Sequence, residues 1–448
     1  MYSDEVDIFS KKSAPASALH YIDAVMLIGL EIHAKLLLER KLFSNALTKW
    51  NAPINTQADP FDIATPGTYP IYNKAATSIA LKMANALKCK NVSDYLIFDR
   101  KHYDYFDLPH GYQITQQSFP IGRDGIFNGH AIRQIHLEMD SAKHASEGLD
   151  YNRAGVGLLE IVTEPDFTSI EDVVLFCSQL RLLLRVNKAS DCLYERGSLR
   201  IDVNVSDDAG NSRCEIKNIN SPDMISSAIS SNLVQKQISL GKWSTFGIQD
   251  GDLVLTRHKQ TSKEYLYLPE HDVPIMKVEK AQSDSVSIDK LKQSIGLDEK
   301  RANKLIEMHL HEAFLKLKHN NLNEDRVFNF LTNKVAGRMN EIGLDPFFCE
   351  DGLERIIIAC LKMPFESIEH QTVDLLKGSS KKWPNYVNEL KSEHLQILNN
   401  LKQHPKYFRC KEHNNYDALV GEAITLLKNE CASIPNPRLI TKFFKTID

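Results

Sequence analysis

Residues 25–37 read VMLIGLEIHAKLL, and the alternation inside this stretch decides how the rest of the chain is read. Successive side chains of a strand point to opposite faces. Ile28, Leu30, Ile32, Ala34 and Leu36 therefore share one face, while Glu31, His33 and Lys35 share the other. Four further stretches repeat the pattern. In RQIHLEMD (133–140), Ile135, Leu137 and Met139 oppose His136, Glu138 and Asp140. In LLEIVTE (158–164), Glu160 and Glu164 fall on one side with Val162 between them. In GSLRIDVNVS (197–206), Leu199, Ile201, Val203 and Val205 oppose Arg200, Asp202, Asn204 and Ser206. In CEIKN (214–218), Glu215 and Lys217 share a face.

Antiparallel strands with one wet side alternate in this way without any function. The chemistry of the polar faces is what stands out. Ordinary wet faces favour Thr, Lys and scattered polar residues. These gather Glu31, Glu138, Asp140, Glu160, Glu164 and Asp202 around His33, His136, Arg200 and Lys217. Neighbouring carboxylates repel unless a cation lies between them. The inference is a concave polar sheet face that binds a divalent metal through hard oxygen ligands and an imidazole. The basic residues on it suit phosphate. A metal–nucleotide site combines the two.

The chain has 448 residues, enough for two to four domains and a large core. With 54 Lys+Arg against 58 Asp+Glu it is no wholesale basic nucleic-acid coat. No apolar run approaches the roughly 18 residues of a membrane span. The opening MYSDEVDIFSKKSAPAS has no apolar core for a secretory signal and makes a poor transit peptide. The eight cysteines form no CxxC pair, so neither a disulfide framework nor a zinc knuckle is expected. Around the strand-like runs of 25–275 lies one clear amphipathic helix at 169–187, with Ser169 as N-cap and Val173, Phe176, Cys177, Leu180 and Leu184 as its apolar face. Beyond it the spacing predicts helices over 300–317, 353–363, 389–402 and 416–428. KGSSKKWP (377–384) reads as a linker, and residues 377–448 carry 12 Lys+Arg against 7 Asp+Glu. The expected fold class is α+β: an antiparallel-sheet domain followed by an all-α region.

Several familiar sites are missing. There is no GxxxxGK[ST], no HExxH and no GxSxG, and GVGLLE (155–160) lacks a dinucleotide loop's third glycine. Hydrolysis by a serine or cysteine nucleophile finds no support. Two segments could grip a ligand. FDRKHYDYFDLPHGYQITQ (98–116) interleaves Arg100 and Lys101 with Tyr103, Tyr105, Tyr112 and Gln113, as a nucleotide or RNA end would require, although a surface loop stapled by its aromatics has the same composition. DYNRAGVGLLEIVTEPD (150–166) places Asn152 and Arg153 before a turn into the acidic strand.

These same motifs carry a family likeness. IGLEIHAKLL followed by KLFS resembles the opening of the B subunit of glutamyl-/aspartyl-tRNA amidotransferase, the GatB/GatE family. The likeness runs in family order through PGTYP, FDRKHYDYFDLPHGYQITQ, HLEMD, DYNRAGVGLLEIVTEPD, ERGSLRIDVNVS, EIKNINS and SKEYLYLPEHDVP, over residues 28–275, more than half of the chain. The C-terminal part resembles the family weakly.

The resemblance implies a cradle domain of glutamine-synthetase-like type at 25–285, after an N-terminal extension at 1–24. It implies a helical domain at 286–380 and a tRNA-contacting tail at 381–448. It implies ATP and Mg²⁺ as cofactors, with His33, Glu138 and Glu160 as metal ligands and Glu31, Glu138 and Glu160 as the catalytic acids. Arg100, Lys101, Arg153, Arg200 and Lys217 become the phosphate contacts. The implied activity converts misacylated Glu-tRNA(Gln) into Gln-tRNA(Gln). The side-chain carboxylate is activated by ATP as an acyl phosphate, then amidated by ammonia. The implied partners are an A-type amidase subunit that releases ammonia from glutamine, a small third subunit of C or F type, and the misacylated tRNA, with no membrane.

The chain departs from the family's motifs at Lys35 (usually Gln), Met139 (usually acidic), Gly157 (usually Pro), and Thr261 and Leu266 (usually Arg). That drift points to a divergent organellar member in the mitochondrial matrix, with a bacterial cytoplasm as the alternative. Two other activities fit the same residues: a degenerate scaffold docking tRNA and the amidase, and a free-standing glutamine-synthetase-like ligase for a small acid.

Overall fold

The computed structural model describes residues 26–145, 148–207, 212–219, 221–249, 252–258, 265–279, 285–320, 322–362, 365, 368, 371–377, 386–387 and 392–403, and beyond them 423, 426, 427, 434, 435, 440, 443 and 444. The expected extension at 1–24, the linker after Lys377, most of the basic tail and Thr261 lie outside these residues. The chain divides into two compact units, Met1–Ser285 and Val286–Asp448.

The first unit is built on strands β1 (Met26–Lys35), β2 (Asn91–Val92), β3 (Tyr95–Leu96), β4 (Asp99–His102), β5 (Tyr112–Thr115), β6 (Gly122–Phe127), β7 (His130–Met139) and β8 (Lys143–Ala145). It continues with β9 (Gly148–Asp150), β10 (Gly157–Thr163), β11 (Leu199–Asp207), β12 (Arg213–Ile219), β13 (Trp243–Gln249), β14 (Asp252–His258), β15 (Leu266–Pro269) and β16 (Met276–Lys277). Its helices are α1 (Ala75–Ala86), α2 (Ile170–Val186), α3 (Pro222–Ile229) and α4 (Asn232–Ser239).

Nine strands form one sheet in the order β14-β13-β12-β11-β1-β10-β7-β6-β2. Every pair in it is antiparallel except β12 with β13. The alternation in residues 25–37 puts β1 at its centre. Ile28, Leu30, Ile32 and Ala34 are buried beside Ile201, Val203, Ile135, Leu137, Leu159 and Ile161. Each of the Ile, Leu and Val side chains among them contributes about 1.5–3 kcal/mol when taken out of water. Helix α1 packs on β6 and β7, and α4 packs on β11, β12 and β13. Helix α2 starts where expected, with the Ser169 side chain accepting from the Asp172 N–H at 3.1 Å, and its Phe176 packs against Phe167 and Phe127. A separate three-stranded ribbon, β15-β4-β5, carries the aromatic and basic stretch.

One buried ion pair ties the first loop to the approach of β10. Lys41 Nζ lies 2.9 Å from Asp62 Oδ2, with both side chains sealed from solvent, and donates to the Tyr151 carbonyl at 2.9 Å. Ser44 Oγ and the Asp59 N–H also donate to Asp62. Gly155 is needed here on two counts. Its φ is +78°, and a Cβ would fall 2.5 Å from Asp62 Oδ1.

The described part of the second unit is largely helical. The helix expected at 300–317 is two, Glu299–Glu307 and His311–Lys318. His309 adopts φ +57° between them and stops the first. Glu350–Lys362 and Ser392–Lys402 correspond to two other expected helices. The segment 416–428 lies almost wholly outside the described residues. No helix among the described residues is long and apolar enough to cross a membrane.

Candidate metal centre

Strand register assembles the site. On β1, His33 stands opposite Arg200 of β11 on one side and Glu160 of β10 on the other. Glu160 in turn stands opposite His136 of β7. This row of Arg200, His33, Glu160 and His136 crosses four strands on the polar face. Glu138 follows His136 on β7 and shares its face, and Asp140 comes next in the alternation just past the strand's end.

His33, Glu138 and Glu160 each offer a ligand atom, and the three atoms lie within 4.8 Å of one another. His33 Nε2 is 3.6 Å and His136 Nε2 3.1 Å from Glu160 Oε2. Burial opposes charging His33, but Glu160 outweighs it and lifts the imidazole to about 9. Burial likewise opposes the Glu160 charge, and His136 and His33 overcome it to hold the carboxyl well below its ordinary range. Glu138 is oriented from the ribbon. Gln113 Nε2 donates to Glu138 Oε1 at 3.3 Å and to the Met139 carbonyl at 2.8 Å, while the Tyr103 hydroxyl donates to Gln113 Oε1. Glu138 Oε2 is buried and accepts no hydrogen bond.

Glu31 is not part of this trio. It belongs to a second group with Asp202 and Glu215, and Asn204 Nδ2 donates to it at 3.2 Å. Burial first, then Glu160, Asp202 and Glu215, raise its carboxyl. Glu164, expected on the same face as Glu160, follows the end of β10 and pairs at 2.7 Å with Arg133, the extra residue of β7 where the ladder slips between Val162 and Thr163.

The expected phosphate contacts separate. Lys101 faces the site, with Nζ 3.6 Å from Glu138 Oε2. Arg100, the next residue on β4, points the other way. It makes two bonds to Glu270 at 2.8 and 2.9 Å and one to Asp272 at 2.7 Å, and it lies over the Tyr112 ring. Arg153 is turned to the Ser141 and Ala142 carbonyls. Arg200 lies on the site face, bonded to Asp140 at 2.9 Å. Lys217 pairs with Glu215 at 3.2 Å. Met139 is buried on the apolar side, so the departure there removes no carboxylate from the face. His136 and Asp140, which alternation puts on the acidic face, complete the arrangement without having been assigned roles from sequence. Gln113, read from sequence as part of a ligand grip, instead pairs across the ribbon with Lys101 and orients Glu138.

A family model described as the GatB/GatE catalytic domain matches residues 26–284. Three curated relatives each carry the name of the B subunit of an aspartyl/glutamyl-tRNA(Asn/Gln) amidotransferase. The protein of Ehrlichia chaffeensis is 40% identical over 288 residues, which cover 59% of this chain and 60% of the relative. That of Ureaplasma parvum is 39% identical over 274 residues, 55% of this chain and 57% of the relative. That of Rickettsia typhi is 30% identical over 467 aligned residues, 93% of this chain and 96% of the relative. The stronger identities thus span under two thirds of those relatives' own length, while the weaker one runs nearly from end to end.

Proposed function

The chain belongs to the GatB/GatE family, and from that premise we propose that it is the tRNA-dependent, ATP-using subunit of an amidotransferase that turns Glu-tRNA(Gln) into Gln-tRNA(Gln). The observation that carries the proposal is the convergence of His33, Glu138 and Glu160 from three strands. The two carboxylates suit a hard divalent ion, and His33 would join them as a nitrogen donor on giving up its proton to the binding step. The buried Glu138 Oε2 without a donor is the kind of oxygen such an ion satisfies. His33, Glu138 and Glu160 would hold Mg²⁺, which when bound neutralises charge on the ATP phosphates.

The rest of the face serves the substrates. A side-chain carboxylate is a poor electrophile toward ammonia. Once a carboxylate oxygen takes the γ-phosphoryl group of ATP and ADP leaves, ammonia can attack the acyl carbon and release phosphate. Lys101, on the site face beside Glu138, would meet the transferring phosphoryl group. Arg200 and Lys217 lie on the same face, and Asp140 and Glu215 fix them there. Glu31, beside the trio with Asp202 and Glu215, completes the acidic set. The large antiparallel-rich sheet with a polar face is compatible with a glutamine-synthetase-like cradle. Ammonia comes from an A-type amidase subunit working with a small third subunit of C or F type, in keeping with the absence of a hydrolase motif here. The 12 basic residues of 377–448 support tRNA contact by the tail. The motif drift at Lys35, Gly157, Thr261 and Leu266 supports a setting in the mitochondrial matrix.

The test is ATP hydrolysis and Gln-tRNA formation by the assembled complex with misacylated tRNA. The Glu138→Ala variant is expected to lose at least about a hundredfold in rate, the scale on which removal of one charge-stabilising group acts. Full activity in that variant would remove the catalytic assignment and leave a docking scaffold.

A further inference from the structure

The loop between β4 and β5 carries rings that the metal centre does not use. Tyr105 is 50% and Phe106 67% exposed. A lone exposed apolar side chain is ordinary on a surface, but these two adjoin one another and further rings. Tyr105 meets Tyr103 edge to face at 5.3 Å, and Tyr103 meets Tyr265 in the same way at 5.3 Å. Phe106 stands edge to face with His144 of β8 at 5.2 Å. The line also runs inward: the Tyr103 hydroxyl donates to Gln113, and Gln113 donates to Glu138 of the metal trio. The loop is well tied. The Leu108 N–H donates to the Tyr105 carbonyl at 3.1 Å, the Ala142 N–H to the Asp107 carbonyl at 2.8 Å and Ser141 Oγ to Asp107 Oδ2 at 3.1 Å. A tied loop that still leaves Tyr105 and Phe106 in water offers flat apolar faces to a ligand.

We propose that Tyr105 and Phe106, with His144, form the stacking platform for the unpaired bases at the 3′ end of the aminoacyl-tRNA, the terminal adenosine among them. This placement rests on the amidotransferase reading above. The carboxylate to be activated hangs from the terminal ribose by a single amino-acid residue. When it meets the metal trio, that ribose and its base must lie close by, and the rings leading outward from Glu138 are what they meet. Bases of a single-stranded RNA end stack on aromatic side chains whatever their identity. Two exposed rings side by side match successive bases of such an end better than the single base of ATP. Lys143, exposed next to His144, suits the phosphates between those bases.

The experiment uses the chain assembled with its partner subunits, and Glu-tRNA(Gln). In the Tyr105→Ala/Phe106→Ala double variant, KM for the aminoacyl-tRNA should rise roughly tenfold or more, the scale of one lost base stack, with KM for ATP unchanged. Tyr105→Phe, which keeps the ring, should behave as wild type. A tRNA with 2-aminopurine as its terminal base gives a readout free of chemistry. Its fluorescence should be quenched on saturating wild type and not on saturating the double variant. Should the double variant fail to assemble, Tyr105→Leu/Phe106→Leu, which keeps apolar bulk without a ring face, is read in the same way. An unchanged KM for the aminoacyl-tRNA, equal quenching by both complexes, or a comparable rise in KM for ATP overturns the inference, the last by giving the rings to the nucleotide. The amidotransferase reading fails separately if the wild-type complex forms no Gln-tRNA(Gln).

Discussion

Replacing Lys41 by Met should destabilise the first unit far more than any surface substitution, and the structure fixes the scale. Neither side chain of the Lys41–Asp62 pair meets solvent, and their contact is 2.9 Å. Burial pushes the Lys41 amine down and the Asp62 carboxyl up, and the mutual attraction does not cancel either effect. The pair as a whole therefore contributes little net stability, because desolvation offsets attraction. Deleting one partner is a different matter. Asp62 would keep its Ser44 and Asp59 donors but lose its counter-charge, and an uncompensated buried charge costs about 3–5 kcal/mol. At about 2–4 °C per kcal/mol for a unit of this size, the melting temperature should fall by roughly 6–20 °C. Adding Asp62→Asn to Lys41→Met should recover more than half of the loss, because no charge then remains buried. The loss should also be insensitive to salt, as a buried pair is little screened. The assay is thermal and urea unfolding of wild type, both single variants and the double variant. A Lys41→Met variant within 1 kcal/mol of wild type, or a double variant worse than the single, would refute the reasoning.

Other outcomes follow from the same geometry. Gln113→Leu removes the donor that holds Glu138 Oε1 and should weaken Mn²⁺ binding by about 10–100-fold, measurable by paramagnetic resonance, with little change in the circular dichroism spectrum. Gly155→Ala should cost on the order of 1–3 kcal/mol, read by urea unfolding, since it meets both a positive φ and Asp62 Oδ1. Ser169→Ala should cost about 0.5–2 kcal/mol in the same assay through loss of the α2 cap.

Much of the site was legible in the sequence because period-two alternation is local. Ile28 to Leu36 and Ile135 to Met139 announce which face is core, and so place His33, His136 and Glu138 on the other. Register is not local. Glu160 stands between His33 and His136 only because β10 pairs with β7 on one side and, on the other, with β1, a strand far from it in the chain. A one-residue slip after Val162 leaves Arg133 of β7 as an extra residue that pairs with Glu164, and no composition signal marks it. Arg100 and Lys101 read as one basic grip until the strand divides them. Arg100 braces Glu270 and Asp272, while Lys101 meets Glu138. Nothing nearby in sequence reveals that Lys41 and Asp62 are both enclosed. His309 ended a helix inside an unbroken apolar period, since a single left-handed residue leaves that period intact.

The most direct measurement is anomalous diffraction from crystals of the assembled complex grown with Mn²⁺. A single strong peak is expected within ligand distance, about 2.0–2.6 Å, of His33, Glu138 and Glu160 together. A crystal in which Mn²⁺ scatters elsewhere, with those three side chains still paired only to one another, would contradict the account.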